Sequence, residues 1–419
     1  MLAALSRLAH LPCSLTMSQP PISPQDHAER LQTEIRLQHL RQLQIIPVSE
    51  KGRWNGAAAA LPSYFQYMRD WSEKGKEQIC AAIAAKATGG HEIDWNVALY
   101  AFMESAAVYL RDWPTLFLAS QAAREGRTEE ALQLLADSDA EIRRIASMWH
   151  PDLHYVTICD LVEEHPDSDP TLDGPFCGVF FSTNPHTPFI GIVFKGTHVE
   201  SWEEMLVDLR YIPVESTGGR LWDTHVSQGI FATLFGPFPK LGGQTPFDYI
   251  QRVVNLIASG NGNLPTDVHI TGHSLGASYA SLFYAEQLRL AQSHPSTSNL
   301  VLRDLYTYGS PRVALGDFVD AVDLALRSHA GHAWRICSIG DPVTLVPPAL
   351  LTDPKFIHLD VGYRVAEDQE PVRLETERRT HPRPPLPLIN MSNHTPWAYF
   401  DSLFYTATNY AAHIRKQRY

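Results

Sequence analysis

The sequence contains no uninterrupted apolar run of about 18 residues, so no segment of it reads as a membrane-crossing helix. Cysteine is scarce. The five residues of this type (Cys13, Cys80, Cys159, Cys177 and Cys337) are scattered, odd in number and without any Cys-x-x-Cys pairing. That pattern argues against a zinc site and a disulfide framework, leaves a single bridge open, and fits a reduced intracellular chain. Positive charge is in deficit: 34 Lys and Arg against 46 Asp and Glu give a net charge of −12. Such a surface repels phosphate backbones, so a nucleic-acid partner is not expected. The form of a signal peptide is missing as well, because Arg7 interrupts the apolar stretch of Met1–Thr16. We read this stretch as a disordered terminus with Met17 as an alternative start, ahead of a weak mitochondrial presequence. A cytoplasmic location is favoured, with mitochondrial and secreted routes left open.

What is present is an ordinary globular composition, 44% hydrophobic and 19% charged, in a chain long enough to bury a large core. Residues 1–27 are rich in Ser, Pro and Gln and read as disordered. Residues 28–150 read as a mostly helical N-terminal region. A helix runs from Ala28 to Ile46 and is stopped by Pro47. Trp95, Leu99, Phe102, Met103, Ala106 and Leu110 form one apolar face at helical spacing. Ser138-x-x-Glu141 makes a capping box before Ile142, Ile145, Ala146 and Trp149. We expect this region to pack on and support the domain C-terminal to it. Over residues 151–419, β-branched and aromatic runs alternate with helical stretches, the pattern of an α/β domain with a largely parallel sheet. The expected strands are Cys177–Ser182, Phe189–Lys195, Asp267–Ile270, Arg303–Tyr308, His332–Ser338 and Ile357–Arg364. One helix between them is well signalled, with Thr245 as N-cap, Pro246 in the first turn and Gly260 at its close.

Gly272-His-Ser274-Leu-Gly276 lies between a strand-like run and a helix-like one. In that context G-x-S-x-G puts a serine on a tight strand-to-helix turn at the top of a sheet, where glycine tolerates the dihedrals and the close backbone approach. A serine hydroxyl is a poor nucleophile unless a histidine takes its proton and an acid orients that histidine. On this architecture the three occur in the order Ser, Asp, His. Asp341 suits the acid, since Gly340-Asp341-Pro342 is a turn at the end of the buried run Ile336–Ile339. Two histidines compete for the base. His358 falls inside an expected strand, where a packed core role fits better. His394, in the loop Asn393-His394-Thr395-Pro396 that opens the helix-like stretch Trp397–Tyr410, is preferred. His273, beside the serine, is expected to face away from it and to be structural.

Further segments extend the pattern: Ile192-Val-Phe-Lys-Gly-Thr197 with Ser201-Trp202 and Asp208-Leu209 after it, Thr307-Tyr-Gly-Ser-Pro-Arg-Val313, Asp341-Pro342-Val343, and His394 with Tyr399-Phe400. Together with the serine box these resemble the class 3 (fungal) lipase family of the α/β-hydrolase superfamily, over about residues 155–405. The resemblance implies an α/β-hydrolase fold, with His358 as the family's strand histidine and His394 as the catalytic one. It implies an oxyanion hole from the backbone N–H groups of Thr197 and Leu275, with the Thr197 hydroxyl as a third donor. It also implies a lid over His198–Leu209, where Trp202, Met205 and Leu206 give an apolar side opposed by Glu200, Glu203 and Glu204; an ordinary surface helix is the equal alternative. Lys195, Ser227 and Thr344 replace the family's usual Arg, His and Pro without touching an expected catalytic group. Asn390 and Asn393 head glycosylation sequons, and a glycan on Asn393 would crowd the base, which speaks against a secretory route.

The expected activity is therefore hydrolysis of carboxylic esters of acylglycerols or related lipids through an acyl-enzyme on Ser274. The same triad acting on phospholipids or feruloyl-type esters is the alternative. A non-catalytic lipid- or partner-binding fold is a further one, against which the complete triad speaks. No metal or organic cofactor is called for. The expected partner is the ester substrate itself, with transient contact to a lipid interface, and the oligomeric state is left open.

Overall fold

The computed structural model describes residues 24–43, 62–163, 171–196, 212–238, 241–262, 264–293, 299–348, 354–359, 362–374 and 390–416. Among these, the helices before the sheet are α1 (Pro24–Leu43), α2 (Pro62–Lys74), α3 (Lys76–Ala84), α4 (Trp95–Ala107), α5 (Trp113–Arg124), α6 (Thr128–Asp137) and α7 (Ala140–Trp149). A 3-10 turn, Val108–Leu110, comes directly after α4. The first helix starts at Pro24, so residues 24–27, read from the sequence as part of a disordered terminus, are helical.

The sheet strands are β1 (Leu153–Glu163), β2 (Thr171–Ser182), β3 (Phe189–Phe194), β6 (Thr266–His273), β7 (Leu300–Tyr308), β8 (Ala333–Ser338), β9 (Gly362–Ala366) and β10 (Gln369–Leu374). A small hairpin, β4 (Pro213–Glu215) with β5 (His225–Ser227), lies between β3 and β6 in the chain. The eight-stranded sheet has the order β1-β2-β3-β6-β7-β8-β9-β10. Its middle, β3 through β9, is parallel, and the edges formed by β1, β2 and β10 are antiparallel. Parallel strands need crossovers, and α9 (Pro246–Gly260), α10 (Leu275–Ser293) and α11 (Gly316–Leu326) supply them. Thr245 caps α9 as expected, its hydroxyl accepting from Asp248 N at 3.0 Å. The remaining helices are α8 (Gln228–Phe235) and the C-terminal α12 (Pro396–Lys416). This is the expected α/β-hydrolase architecture.

Both faces of the sheet are covered, as a parallel sheet requires. Along β3, Ile190, Ile192 and Phe194 pack with α8 through α11, whereas Phe189 and Val193 pack with α2, α3, α4, α7 and α12. The helical N-terminal region thus supplies most of one layer. Its centre is α4, for which the sequence predicts one apolar face. In the structure every residue of α4 but Asn96 is buried, because the helix lies against the sheet on one side and under α2, α3 and α12 on the others. Asp94 caps it, accepting from Asn96 N at 2.9 Å. Gly191 on β3 leaves room for the buried Glu104–His269 pair that joins α4 to β6; a Cβ there would lie 2.7 Å from His269 Nε2.

Two further local readings differ from the sequence. Ser138 does not cap α7: its hydroxyl donates to Leu135 O at 2.6 Å and closes α6, which ends only two residues before α7 begins. The expected strand Ile357–Arg364 divides. Ile357 makes an isolated bridge to Ala314, and the sheet strand starts at Gly362, where a Cβ would collide with the Arg335 guanidinium. The four described cysteines are free thiols, Cys159 and Cys177 facing each other across β1 and β2.

Candidate active site

The site assembles at the carboxyl ends of the parallel strands, where open α/β sheets place their reactive groups. At the end of β6, Ser274 takes φ = +60°, a left-handed conformation that non-glycine residues rarely adopt. Two glycines permit that turn. A Cβ on Gly272 would lie 2.8 Å from Ala277 N, and one on Gly276 would lie 2.7 Å from the Lys195 carbonyl carbon. The start of α10, with Leu275 as its first residue, therefore seats directly on the end of β3. Gly196 completes the contact, since a Cβ there would lie 2.8 Å from Ser274 Cβ. Ser274 N donates to Tyr308 O at 2.9 Å, and Ser274 O accepts from Ala277 N at 3.0 Å.

Asp341 comes after β8, reached through Gly340 (φ +73°). Its Oδ1 accepts from Val343 N at 2.9 Å, and its Oδ2 accepts from the Tyr399 hydroxyl at 2.6 Å. His394 Nδ1 lies 2.8 Å from Asp341 Oδ2 and 3.0 Å from Oδ1. His394 sits on a 3-10 turn, Met391–His394, immediately before α12. That turn is pinned to the Asp341 loop because Asn390 N donates to Gly340 O at 3.2 Å. Beneath the pair lies Gly309 (φ +59°), where a Cβ would meet His394 Cε1 at 2.7 Å and Asp341 Oδ2 at 2.9 Å.

His394 and Asp341 are thus brought together, in the orientation a neutral imidazole needs to present Nε2 as its basic nitrogen. His358 is elsewhere: its Nε2 donates to Thr344 O at 3.0 Å and steadies the loop after Asp341. His273, read from the sequence as structural and facing away from Ser274, makes its contacts with Tyr109 and His394. Its ring stacks on that of His394, with centroids 4.6 Å apart. Burial, and after it the neighbouring His394, pushes the His273 pKa well below the ordinary histidine value. Burial, then the Asp341 charge, raises the Tyr399 phenol well above its usual range, so Tyr399 remains a donor. Leu275 stands at the turn, while Thr197 and the lid residues Trp202, Met205 and Leu206 lie outside the described residues. Among the described residues no group of three or more His, Cys, Asp or Glu is placed to hold a metal, and no helix is long and apolar enough to cross a membrane.

Residues 191–351 match the class 3 lipase family. This lipase-family segment contains Ser274 and Asp341, ends before His394, and supports lipase-like hydrolysis of carboxylic esters. No curated protein matches the chain. Similar solved structures include the Rhizomucor miehei lipase propeptide complex, at 21% identity over 73% of this chain and 79% of that one, with a TM-score of 0.41. Lipase II from Rhizopus niveus is 19% identical over 71% of this chain and 92% of that one, with a TM-score of 0.41. The lipase from Rhizopus microsporus var. chinensis is 18% identical over 73% and 87%, with a TM-score of 0.40.

Gly309 and Asn390 stand within segments the sequence singles out but with no place in the site assigned to them there, and the sequence foresees neither Tyr109 nor the hydrogen bond from Tyr399 to Asp341. The phenol had a signal, since Tyr399 lies one helical turn into the helix that His394 opens. Tyr109 had none: it meets His273 across 164 positions of sequence.

Proposed function

We propose that the chain is a serine ester hydrolase acting on acylglycerols or related lipid esters. Ser274 attacks the ester carbonyl, and His394 Nε2 takes the hydroxyl proton and returns it to the leaving alcohol. Asp341 holds the imidazole in the tautomer that makes this transfer possible. The Leu275 N–H and Thr197 receive the developing oxyanion, and the N-terminal end of α10 adds favourable potential there. Water then attacks the acyl-enzyme, with His394 acting again as base. The observation that carries this reading is the His394–Asp341 contact at the sheet end where Ser274 is held at φ +60°.

The test is hydrolysis of p-nitrophenyl butyrate and p-nitrophenyl palmitate, beside labelling by a fluorophosphonate. Both should disappear in Ser274→Ala, and the ratio of the two rates reads the preferred acyl length. Labelling that persists in Ser274→Ala would remove Ser274 from the role. His394→Ala should abolish turnover, and His358→Ala should mainly lower stability; the reverse pattern would exchange the two histidines.

We also propose that residues 28–150 and 151–419 fold as one unit. The shared core of α4 with β2, β3, β7 and β8 supports this.

A further inference from the structure

We infer that Tyr109 and His273 are positioning residues for His394, so that the helical layer preceding the lipase-family segment holds one side of the active site in place. The inference rests on the hydrolase reading above and names a device in that same site.

Tyr109 is buried in the 3-10 turn that leaves α4. Its hydroxyl lies 3.0 Å from His273 Nδ1, and His273 Nε2 lies 3.0 Å from the backbone oxygen of His394. A carbonyl oxygen only accepts, so His273 Nε2 carries the hydrogen. In the neutral ring Nδ1 is then an acceptor, and Tyr109 is its donor. Burial keeps His273 uncharged, which preserves this single tautomer. Phe102 on α4 meets the His273 ring edge-on at 6.4 Å, and the His273 ring in turn lies 28° from the plane of His394. His394 is therefore gripped twice. Asp341 fixes its Nδ1 edge, while His273 fixes its carbonyl and supports the face of its ring. Tyr109 lies outside residues 191–351 and His273 inside them, so this second grip joins the helical layer to the matched segment.

The test compares four variants of the full chain. Tyr109→Phe and His273→Phe remove the two donors. His273→Gln keeps an N–H near the Nε2 position. Tyr64→Phe removes a buried hydroxyl that donates to Ala106 O at 2.9 Å on the same end of α4, without touching His273. Tyr109→Phe and His273→Phe should lower kcat roughly 10- to 100-fold, the cost of a misplaced catalytic group, with KM nearly unchanged. His273→Gln should recover most of the loss, and Tyr64→Phe should lower Tm while leaving kcat alone. Histidine-selective 15N NMR should show His273 as the Nε2–H tautomer in the wild type and a loss of that signal pattern in Tyr109→Phe. An active wild type whose Tyr109→Phe variant keeps its kcat overturns the grip alone, as does an Nδ1–H tautomer at His273. A wild type that neither cleaves esters nor takes a fluorophosphonate overturns the hydrolase reading, and the positioning role with it.

Discussion

At Asp341 one buried carboxylate receives a backbone N–H, an imidazole and a phenol at once. Three donors converging on its two oxygens hold this carboxyl group in one orientation. Gly309 leaves the space in which this happens. Gly309→Ala should force the His394–Asp341 pair apart, because the new methyl would lie 2.7 Å from the imidazole and because φ is +59°. The expected loss in kcat is roughly 10- to 100-fold, read with p-nitrophenyl butyrate alongside a thermal melt. A variant that melts earlier but turns over normally would show that the pair does not depend on this void. At this scale Ser274, Asp341 and His394 stand out as candidates because each belongs to a short motif with its own spacing, and the fold brings the last two into contact. Tyr399 and Gly309 fall within segments the sequence singles out, but their contacts with Asp341 and His394, like that of Tyr109 with His273, are created only by the folded backbone.

Between elements, buried charge does much of the joining. Arg111, in the link between the 3-10 turn and α5, donates to Asp160 on β1 at 3.0 Å and to the Thr157 hydroxyl at 3.1 Å. His39 on α1 meets the same Asp160 oxygen at 2.6 Å, and Arg36 and Arg143 gather around Asp139 beside α7. Burial alone would raise the Asp160 carboxyl, but Arg111 and His39 outweigh it and bring its pKa below the usual value. Folded Asp160 therefore binds a proton less readily than unfolded Asp160. The stabilisation is complete above the unfolded value of about 3.9 and is lost as pH falls through the lower folded one. Arg111→Met strands the carboxylate and should cost on the order of 3–5 kcal/mol at neutral pH, with the acid transition moved to higher pH. Urea titrations at neutral and mildly acid pH measure both effects, and an acid midpoint that stays put would detach Asp160 from the network. The elements themselves were legible where periodicity was strong, as in α9 and the parallel strands. Ser138 misled because two adjacent helices compete for one hydroxyl, and the carbonyl at the end of α6 won.

Across the whole molecule, the helices before residue 151 and the sheet after it close a common core. Phe180, Phe189, Val193, Tyr306 and Tyr308 line the sheet face that α4 and its neighbours cover. Residues 151–419 expressed alone should therefore be insoluble or molten, lacking near-UV circular dichroism, and coexpression with residues 24–150 should restore a folded complex. A truncated chain that is soluble and melts cooperatively would divide the protein into two units after all. The sequence suggested a supporting helical region but not this degree of fusion, since Trp95–Ala107 was read as having only one apolar side. The Tyr308 hydroxyl donates to Ala98 O across 210 positions of sequence. During synthesis α4 emerges from the ribosome long before β7 exists to receive it. For that interval the greasiest helix of the layer is a nascent segment without its partner, and the order of translation runs against the order in which the core can close.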